Sequence, residues 1–597
     1  MAQEKEYKSK INFRLWKKFI SFIYPYRYHL LGLITVMLIV GAIDATFPYL
    51  TKYAIDNYVV PKSLQGFHKF IIIFLTIIGI QALNVFLLIF FAVKIETYLA
   101  HDIRKAGFEK LQELSLSFYD TTQTGFLMAR LMSDIRKVTN VLAWGLTDII
   151  WGFSTMLFIF IYLLILNWKL GLFIILAIPV LFLISLYFQN KILRQYRKVR
   201  KLNSEITGTF NEGIMGAKTT KILSVEEQHI EELKAQTEEM KRSSIKAAVL
   251  SSTYTPIVMS IGSITTASII YFGGNWVYAG LISFGTLVAF INYSIQFFEP
   301  IREIARVIAD LVSAQAAAER VLDLLDTKSD IKDEAKENVD IEIQGEIEFK
   351  NVFFKYKEGD YVLKNFNLKV KKGEVIALVG ETGSGKSTIV NLVGRFYEPV
   401  KGVIYIDGID YRNIPLKKLR SNLGYVLQTP HLFSGTVAEN IRYGRLDATM
   451  DEIINAAKLV NAHDFIMNLE NGYNTDVGEG GSKLSTGQRQ LISLARAVIA
   501  DPKIFILDEA TSSVDAYTEH LIQDAIMKVL YGRTSFVIAH RLSTIRNAHR
   551  ILVIKDGKIL EEGNHENLMK KRDYYYNLYI KQFVEEKGKQ LLEEYEI

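Results

Sequence analysis

The chain has 597 residues, 49% of them hydrophobic and 22% charged, with a net charge of +6 and no cysteine. At ~150 residues per domain this is several units' worth of length. The lack of cysteine excludes disulfides, cysteine-ligated zinc and thiol catalysis. The modest charge gives no argument for nucleic acid as a partner. Zero cysteine fits a reducing compartment, a hot-living source or deliberate removal alike.

Residues 1–28 are charged and aromatic, with no apolar stretch and no small-residue cleavage site, so no cleaved signal peptide is expected. Within them, 12–27 mixes aromatics with Lys and Arg at helical spacing. That pattern predicts an interfacial elbow helix stopped near Pro25, or a solvated helix packed on a soluble domain.

Six apolar stretches follow, at 29–50, 70–93, 141–166, 169–189, 248–273 and 284–304. Each is long enough to cross a hydrocarbon core of ~30 Å. The intervals 94–140 and 190–247 are long and charged, and Arg194, Arg197, Lys198, Arg200 and Lys201 form a basic block. By the positive-inside rule both long loops and both termini are cytoplasmic, in a cell (inner) membrane. Helical periodicity runs through 94–115 and 190–212, so helices two to five should project far beyond the bilayer. Breaks near 118–125 and 213–218 are either docking tips or plain hairpin tips. Asp44, Asn84, Asn292, Gln296 and Glu299 are polar groups in costly surroundings; they line a cavity or make helix–helix hydrogen bonds. Pro48, Pro179, Pro256 and Pro300 are expected to kink their helices.

From about 326 the composition becomes that of a soluble α/β domain, after a polar linker at 326–344. The apolar run 375–379 reads as a buried parallel strand. It leads into Gly380, Glu381, Thr382, Gly383, Ser384, Gly385, Lys386, Ser387 and Thr388, where G-x-x-x-x-G-K-[ST] opens a helix. Glycines let successive amides point at phosphates, Lys386 reaches the β- and γ-phosphates, and the Ser387 hydroxyl joins a Mg²⁺ shell. Tyr356 could stack on adenine, although alone it would be an ordinary strand tyrosine. Gln428 follows an apolar run at a strand end, where it could touch Mg²⁺ and the attacking water. Asp508 ends a second buried run and fits a Mg²⁺ role; Glu509 beside it is a candidate general base, unless the pair is a solvated strand end. His540 closes a third run and could contact the γ-phosphate. Ser485, Thr486, Gly487 and Gln488 open a further helix, a second anion-binding end that makes sense if it faces the nucleotide of another copy or partner.

Taken in order, Tyr356, Gly380 to Ser387, Gln428, Leu484 to Gln488, Asp508 with Glu509, Ser512 to Asp515, and His540 resemble the nucleotide-binding domain of an ABC transporter. They match its A-loop, Walker A, Q-loop, signature, Walker B, D-loop and H-loop. The stretch 475–481 resembles the X-loop of the exporter branch, and six spans before one such domain resemble an exporter half-transporter. The two loop breaks then match coupling helices. Two departures stand out: Thr486 where the signature has glycine, and Ser513 where the D-loop has alanine.

The fold class that follows is a membrane α-helical bundle of six long transmembrane helices, then a soluble α/β P-loop NTPase domain. The expected division is 1–28 tail and elbow helix, 29–325 transmembrane domain, 326–344 linker, 345–585 nucleotide-binding domain and 586–597 charged tail. The resemblance implies ATP and Mg²⁺ as ligands and a second half-transporter as partner. A different chain is favoured as that partner. The cargo is a hydrophobic or amphipathic small molecule. A homodimeric lipid flippase, an ATP-gated channel and a regulatory membrane ATPase stay open as alternatives.

Overall fold

The computed structural model describes residues 12–333, 342–357, 359–508, 516–538, 542–581 and 583. Two compact units emerge: residues 1–112 with 124–327, and residues 113–123 with 328–597.

In the first unit, Asn12 caps helix α1 (Phe13–Ile23) by accepting from the Leu15 amide. Leu15, Trp16, Phe19 and Ile23 form its apolar face and pack with Leu99, Ile103, Val138 and Ala317. Lys17 and Lys18 stay exposed. The elbow therefore covers this unit's own helices. A short turn holding Pro25 leads to α2 (Arg27–Ala54), then α3 (Phe67–Glu113). After α4 (Leu116–Tyr119) and α5 (Thr124–Ala129) come α6 (Ile135–Met215), α7 (Ala217–Leu223), α8 (Glu226–Tyr278), α9 (Phe284–Gln296) and α10 (Phe298–Asp326).

Among the described residues, four helical stretches are long and apolar enough to cross a membrane: 14–59, 67–113, 124–185 and 226–278. Local geometry accounts for the difference from six. Asn167 leaves helical geometry inside α6 (φ −169°, ψ 104°), and its Oδ1 accepts from the amides of Lys169 and Leu170 at 3.1 and 3.2 Å. This side-chain cap separates the third and fourth apolar stretches. The sixth is divided at Phe297 between α9 and α10. Thirteen residues in α9 span only ~20 Å, and α10 turns charged from Glu299 and Arg302 onward. Pro300 accordingly sits in the first turn of α10, where its missing N–H costs little. Only 6% of the most apolar window of α3 is buried, as suits a helix facing lipid.

The second unit holds two sheets. Strands β1 (Ile347–Phe354), β2 (Leu363–Val370), β4 (Lys401–Ile406) and β5 (Ile409–Asp410) form an antiparallel sheet in the order β2-β1-β4-β5. Strands β3 (Val375–Val379), β6 (Leu423–Val426), β7 (Ile504–Asp508), β8 (Thr534–Ile538), β9 (Arg550–Lys555) and β10 (Lys558–Gly563) form the other, in the order β10-β9-β3-β8-β7-β6. Its pairs β3/β9, β3/β8, β8/β7 and β7/β6 are parallel. All five residues of β3 are buried, the consequence of an unbroken apolar run in a strand covered on both faces. Gly380, Gln428 and Asp508 stand at the carboxyl ends of β3, β6 and β7, where such sheets bind ligands.

Candidate active site

The turn between β3 and helix α11 (Lys386–Val393) is built by backbone shape. Gly380, Gly383 and Gly385 have φ of 153°, 84° and 107°. At Gly380 a Cβ would also stand 2.3 Å from the Ile554 carbonyl oxygen, so only glycine fits. A Cβ at Gly383 would meet nothing within 4 Å, which leaves the loop open on that side. Among the described residues Ser384 Oγ, buried in the loop, has no hydrogen-bond partner, and a phosphate oxygen or its water would supply one. The first turn of α11 contributes amides with no intrahelical acceptor.

Lys386 is buried and its ammonium donates to the carbonyls of Gly380 (2.8 Å) and Glu381 (2.9 Å). Burial lowers its pKa, and the Asp508 carboxylate works the other way. Asp508 ends β7, paired with Ile538 of β8, and is half-buried. Its charge also reaches the Tyr425 phenol, which burial first, and then Asp508, push up to about 12. Ser387 is exposed at the start of α11, Thr388 is buried behind it, and Gln428 is exposed two residues beyond β6. Hydroxyl, carboxylate and amide oxygens are the hard donors Mg²⁺ takes. Among the described residues no group of three or more His, Asp or Glu is placed to hold a metal ion, and Mg²⁺ shared with substrate phosphates needs none. The residues present thus fit both ligands.

Tyr356 is half-buried. Its ring stands edge-on to Phe354 (5.0 Å, 85°) and to Tyr397 (5.3 Å, 84°), and its hydroxyl lies 3.2 Å from Thr388 Oγ1. The base-stacking candidate is therefore tied directly to the phosphate-loop helix.

Ser485 caps the helix Thr486–Val498. Its hydroxyl accepts from the Gln488 amide while the Gln488 side chain accepts from Ser485 N–H, a reciprocal capping box. Ser485 and Thr486 are exposed and Gly487 is buried. Thr486 is the first helical residue and has no positive φ, so its backbone does not demand glycine. The departure lies in its side chain, whose hydroxyl accepts from Arg489 at 3.0 Å. Arg489 also donates to the Leu484 and Gly481 carbonyls at 2.7 and 3.4 Å, joining the 475–481 stretch to this helix. Glu509, Asp515 and His540 lie outside the described residues, as do Ser512 and Ser513.

Asp44 on α2 accepts from Gln81 Nε2 (2.9 Å) and Trp151 Nε1 (3.0 Å), and its carbonyl accepts from Gln296 (3.0 Å). Asp44 and Gln296 are thus brought together by helix–helix hydrogen bonds. Asn292 is half-buried, and exposed Glu299 pairs with Arg302 at 2.5 Å.

The sequence reading passed over several residues. Arg395 is 2% exposed and donates to Glu398 and to the carbonyls of Lys332, Tyr411 and Ile414. Arg496 ties the Thr486–Val498 helix to His431 and Asn440, just after Gln428. Tyr574 donates to Glu381 in the phosphate loop at 3.1 Å. A lone arginine or tyrosine carries no local sequence signal for such partners.

Residues 30–301 match the family described as ABC transporter transmembrane region, and residues 363–512 match the family described as ABC transporter. This chain belongs to the ABC transporter family. An uncharacterized ABC transporter ATP-binding protein of Bacillus subtilis, YfiC, is 38% identical over 93% of this chain and 92% of its own length. An ATP-dependent lipid A-core flippase of Syntrophus aciditrophicus is 34% identical over 96% and 95%. YgaD of B. subtilis, whose name assigns it provisionally to multidrug export, is 34% identical over 94% and 98%. With both regions in one chain, this is an ABC exporter half-transporter, a multi-pass membrane protein that couples ATP hydrolysis to transport.

Proposed function

We propose that this half-transporter moves hydrophobic or amphipathic compounds out of the cell by alternating access, as the hydrolytically competent member of a heterodimer. ATP lies between the phosphate loop of this chain and the signature helix of the partner. Both termini and the nucleotide-binding domain are cytoplasmic, the side on which the basic block at 194–201 belongs. Lys386 and the amides of α11 hold the β- and γ-phosphates. Ser387, Gln428 and Asp508 hold Mg²⁺, which when bound neutralises charge on the phosphates. Glu509 takes the proton of the attacking water and His540 orients the γ-phosphate. Closure over ATP draws the long helices together.

The observation that carries the heterodimer is Thr486. In this reading its exposed side chain, held over the helix start by Arg489, crowds the γ-phosphate of the opposite site and weakens that sandwich. The site built on this chain's own Lys386 and Asp508 is spared. Purifying the chain alone tests this. A stable homodimer with robust, transport-stimulated ATPase sinks it, whereas poor assembly rescued by a second half-transporter supports it. The flippase relatives favour a second reading, a homodimer that moves lipid. Reconstituted vesicles separate the two by lipid translocation against ATP-dependent dye uptake, and an ion current would mark a channel.

A further inference from the structure

A cavity of about 720 Å³ lies among α3, α6 and α10, lined by Arg104, Arg136, Lys137, Asn140, Asp310 and Ser313, with Met132 and Val141 as apolar walls. Three of its side chains are cations, and none of the three makes an ion pair among the described residues. Arg104 donates to the Leu131 carbonyl and Lys137 to Ser313 Oγ at 3.0 Å. The nearby carboxylates are engaged elsewhere: Asp310 accepts from Arg306 at 3.2 Å, and Asp134 holds Arg320 through two bonds of 2.7 Å. With three cations against the single carboxylate of Asp310, itself engaged by Arg306, the cavity favours an anion, and two guanidiniums beside one ammonium suit a tetrahedral oxyanion.

Position narrows the class. The apolar stretch of α6 starts at Val141, so Arg136 and Lys137 lie within ~8 Å of the hydrocarbon edge along the axis. Arg104 is eleven residues past the end of the α3 stretch, ~16 Å beyond it. The cavity thus begins in the head-group layer, which extends ~5–8 Å outside the hydrocarbon. We propose that it binds a phosphate oxyanion, carried on the head group of a lipid or amphiphile in the adjoining leaflet or taken free from solution. The site is separate from the nucleotide machinery and does not depend on the heterodimer reading.

The full chain in detergent, titrated with phosphatidylglycerol or phosphatidylcholine and read by native mass spectrometry, tests the lipid source. Protection of Lys137 from amine modification by inorganic phosphate, without lipid, tests the soluble one. Wild type should retain phosphatidylglycerol over phosphatidylcholine. The Arg104→Gln/Arg136→Gln/Lys137→Gln variant should lose ~100-fold in that preference, each cation near a leaflet contributing about fivefold. Lys137→Arg should keep it. Phosphate protection without lipid preference assigns the oxyanion to solution. Equal lipid retention by wild type and triple variant, with no protection by phosphate, overturns the proposal. Unaltered tryptophan fluorescence of the triple variant establishes that it is folded, since all five tryptophans lie in the same unit as the three substitutions.

Discussion

The Tyr397 hydroxyl donates a 2.6 Å hydrogen bond to Asp120. Asp120 belongs to the segment 113–123, which forms one compact unit with the nucleotide-binding domain. The Tyr397 ring in turn stands against Tyr356, whose hydroxyl reaches Thr388. A short chain of contacts therefore runs from the loop after α3 to Tyr356, the base-stacking candidate. Burial, then the bond to Asp120, raise the Tyr397 pKa, so the phenol stays a donor. The stabilisation is fully present below the ordinary phenol pKa of ~10 and is lost as pH rises through the higher folded value. Tyr397→Phe should lower transport per ATP hydrolysed while leaving ATP affinity within about fivefold, since one exposed bond contributes ~1 kcal/mol. Paired measurement of dye uptake and ATPase checks this; an unchanged ratio would release Asp120 from any coupling role.

At the second loop tip, Ile214 and Met215 are 73% and 82% exposed beside the cap at Gly216. Met215→Ala should impair dye uptake and spare ATP binding, because a docking tip needs large apolar anchors. Intact uptake would make this tip a plain hairpin.

Lys386→Ala should weaken ATP binding by ~50-fold, the scale of a charge-assisted phosphate contact. Because burial lowers the Lys386 pKa, ATP affinity should fall as pH rises, starting below the ordinary lysine range. Nucleotide titrations across alkaline pH read both effects, and Lys386→Arg should move the fall upward.

Glu509→Gln should bind ATP normally yet hydrolyse it at least ~10²-fold more slowly, the loss associated with a general base. Single-turnover assays measure it. Turnover within a few-fold of wild type would remove Glu509 from the proton transfer.

Arg395→Met should destabilise the nucleotide-binding domain by ~3–5 kcal/mol, because one buried guanidinium serves a carboxylate and three carbonyls. Hydrogen exchange at Lys332, Tyr411 and Ile414 is the suitable readout, since a two-unit chain has no single melting point.

These cases show which parts of the molecule were legible in the sequence. The phosphate loop was, because left-handed glycines beside a lysine leave a spaced trace in the residues themselves. The signature start was legible for the same reason, as Ser485 and Gln488 cap one helix three residues apart. Thr486 stands out in the sequence as a departure, but that its backbone is plain helix and that Arg489 engages its hydroxyl is visible only in the structure. Tyr397 and Arg496 were illegible because their partners lie far along the chain, and Arg395 because three of its four partners are backbone carbonyls, which leave no trace in residue type. Hydropathy located the sixth apolar stretch but not its break at Phe297.

The 47-residue α3 contains no proline, so it can tilt as one rod. Its apolar stretch is centred near residue 81, leaving ~48 Å of helix toward Glu113 and only ~21 Å toward Phe67. A tilt of ~10° about that centre displaces the Glu113 end by ~8 Å and the Phe67 end by ~4 Å. The two arms give a mechanical ratio of about two to one. A modest gap on one side of the membrane accompanies a swing twice as wide on the other, so probes near Glu113 should report the cycle with about double the amplitude of probes near Phe67.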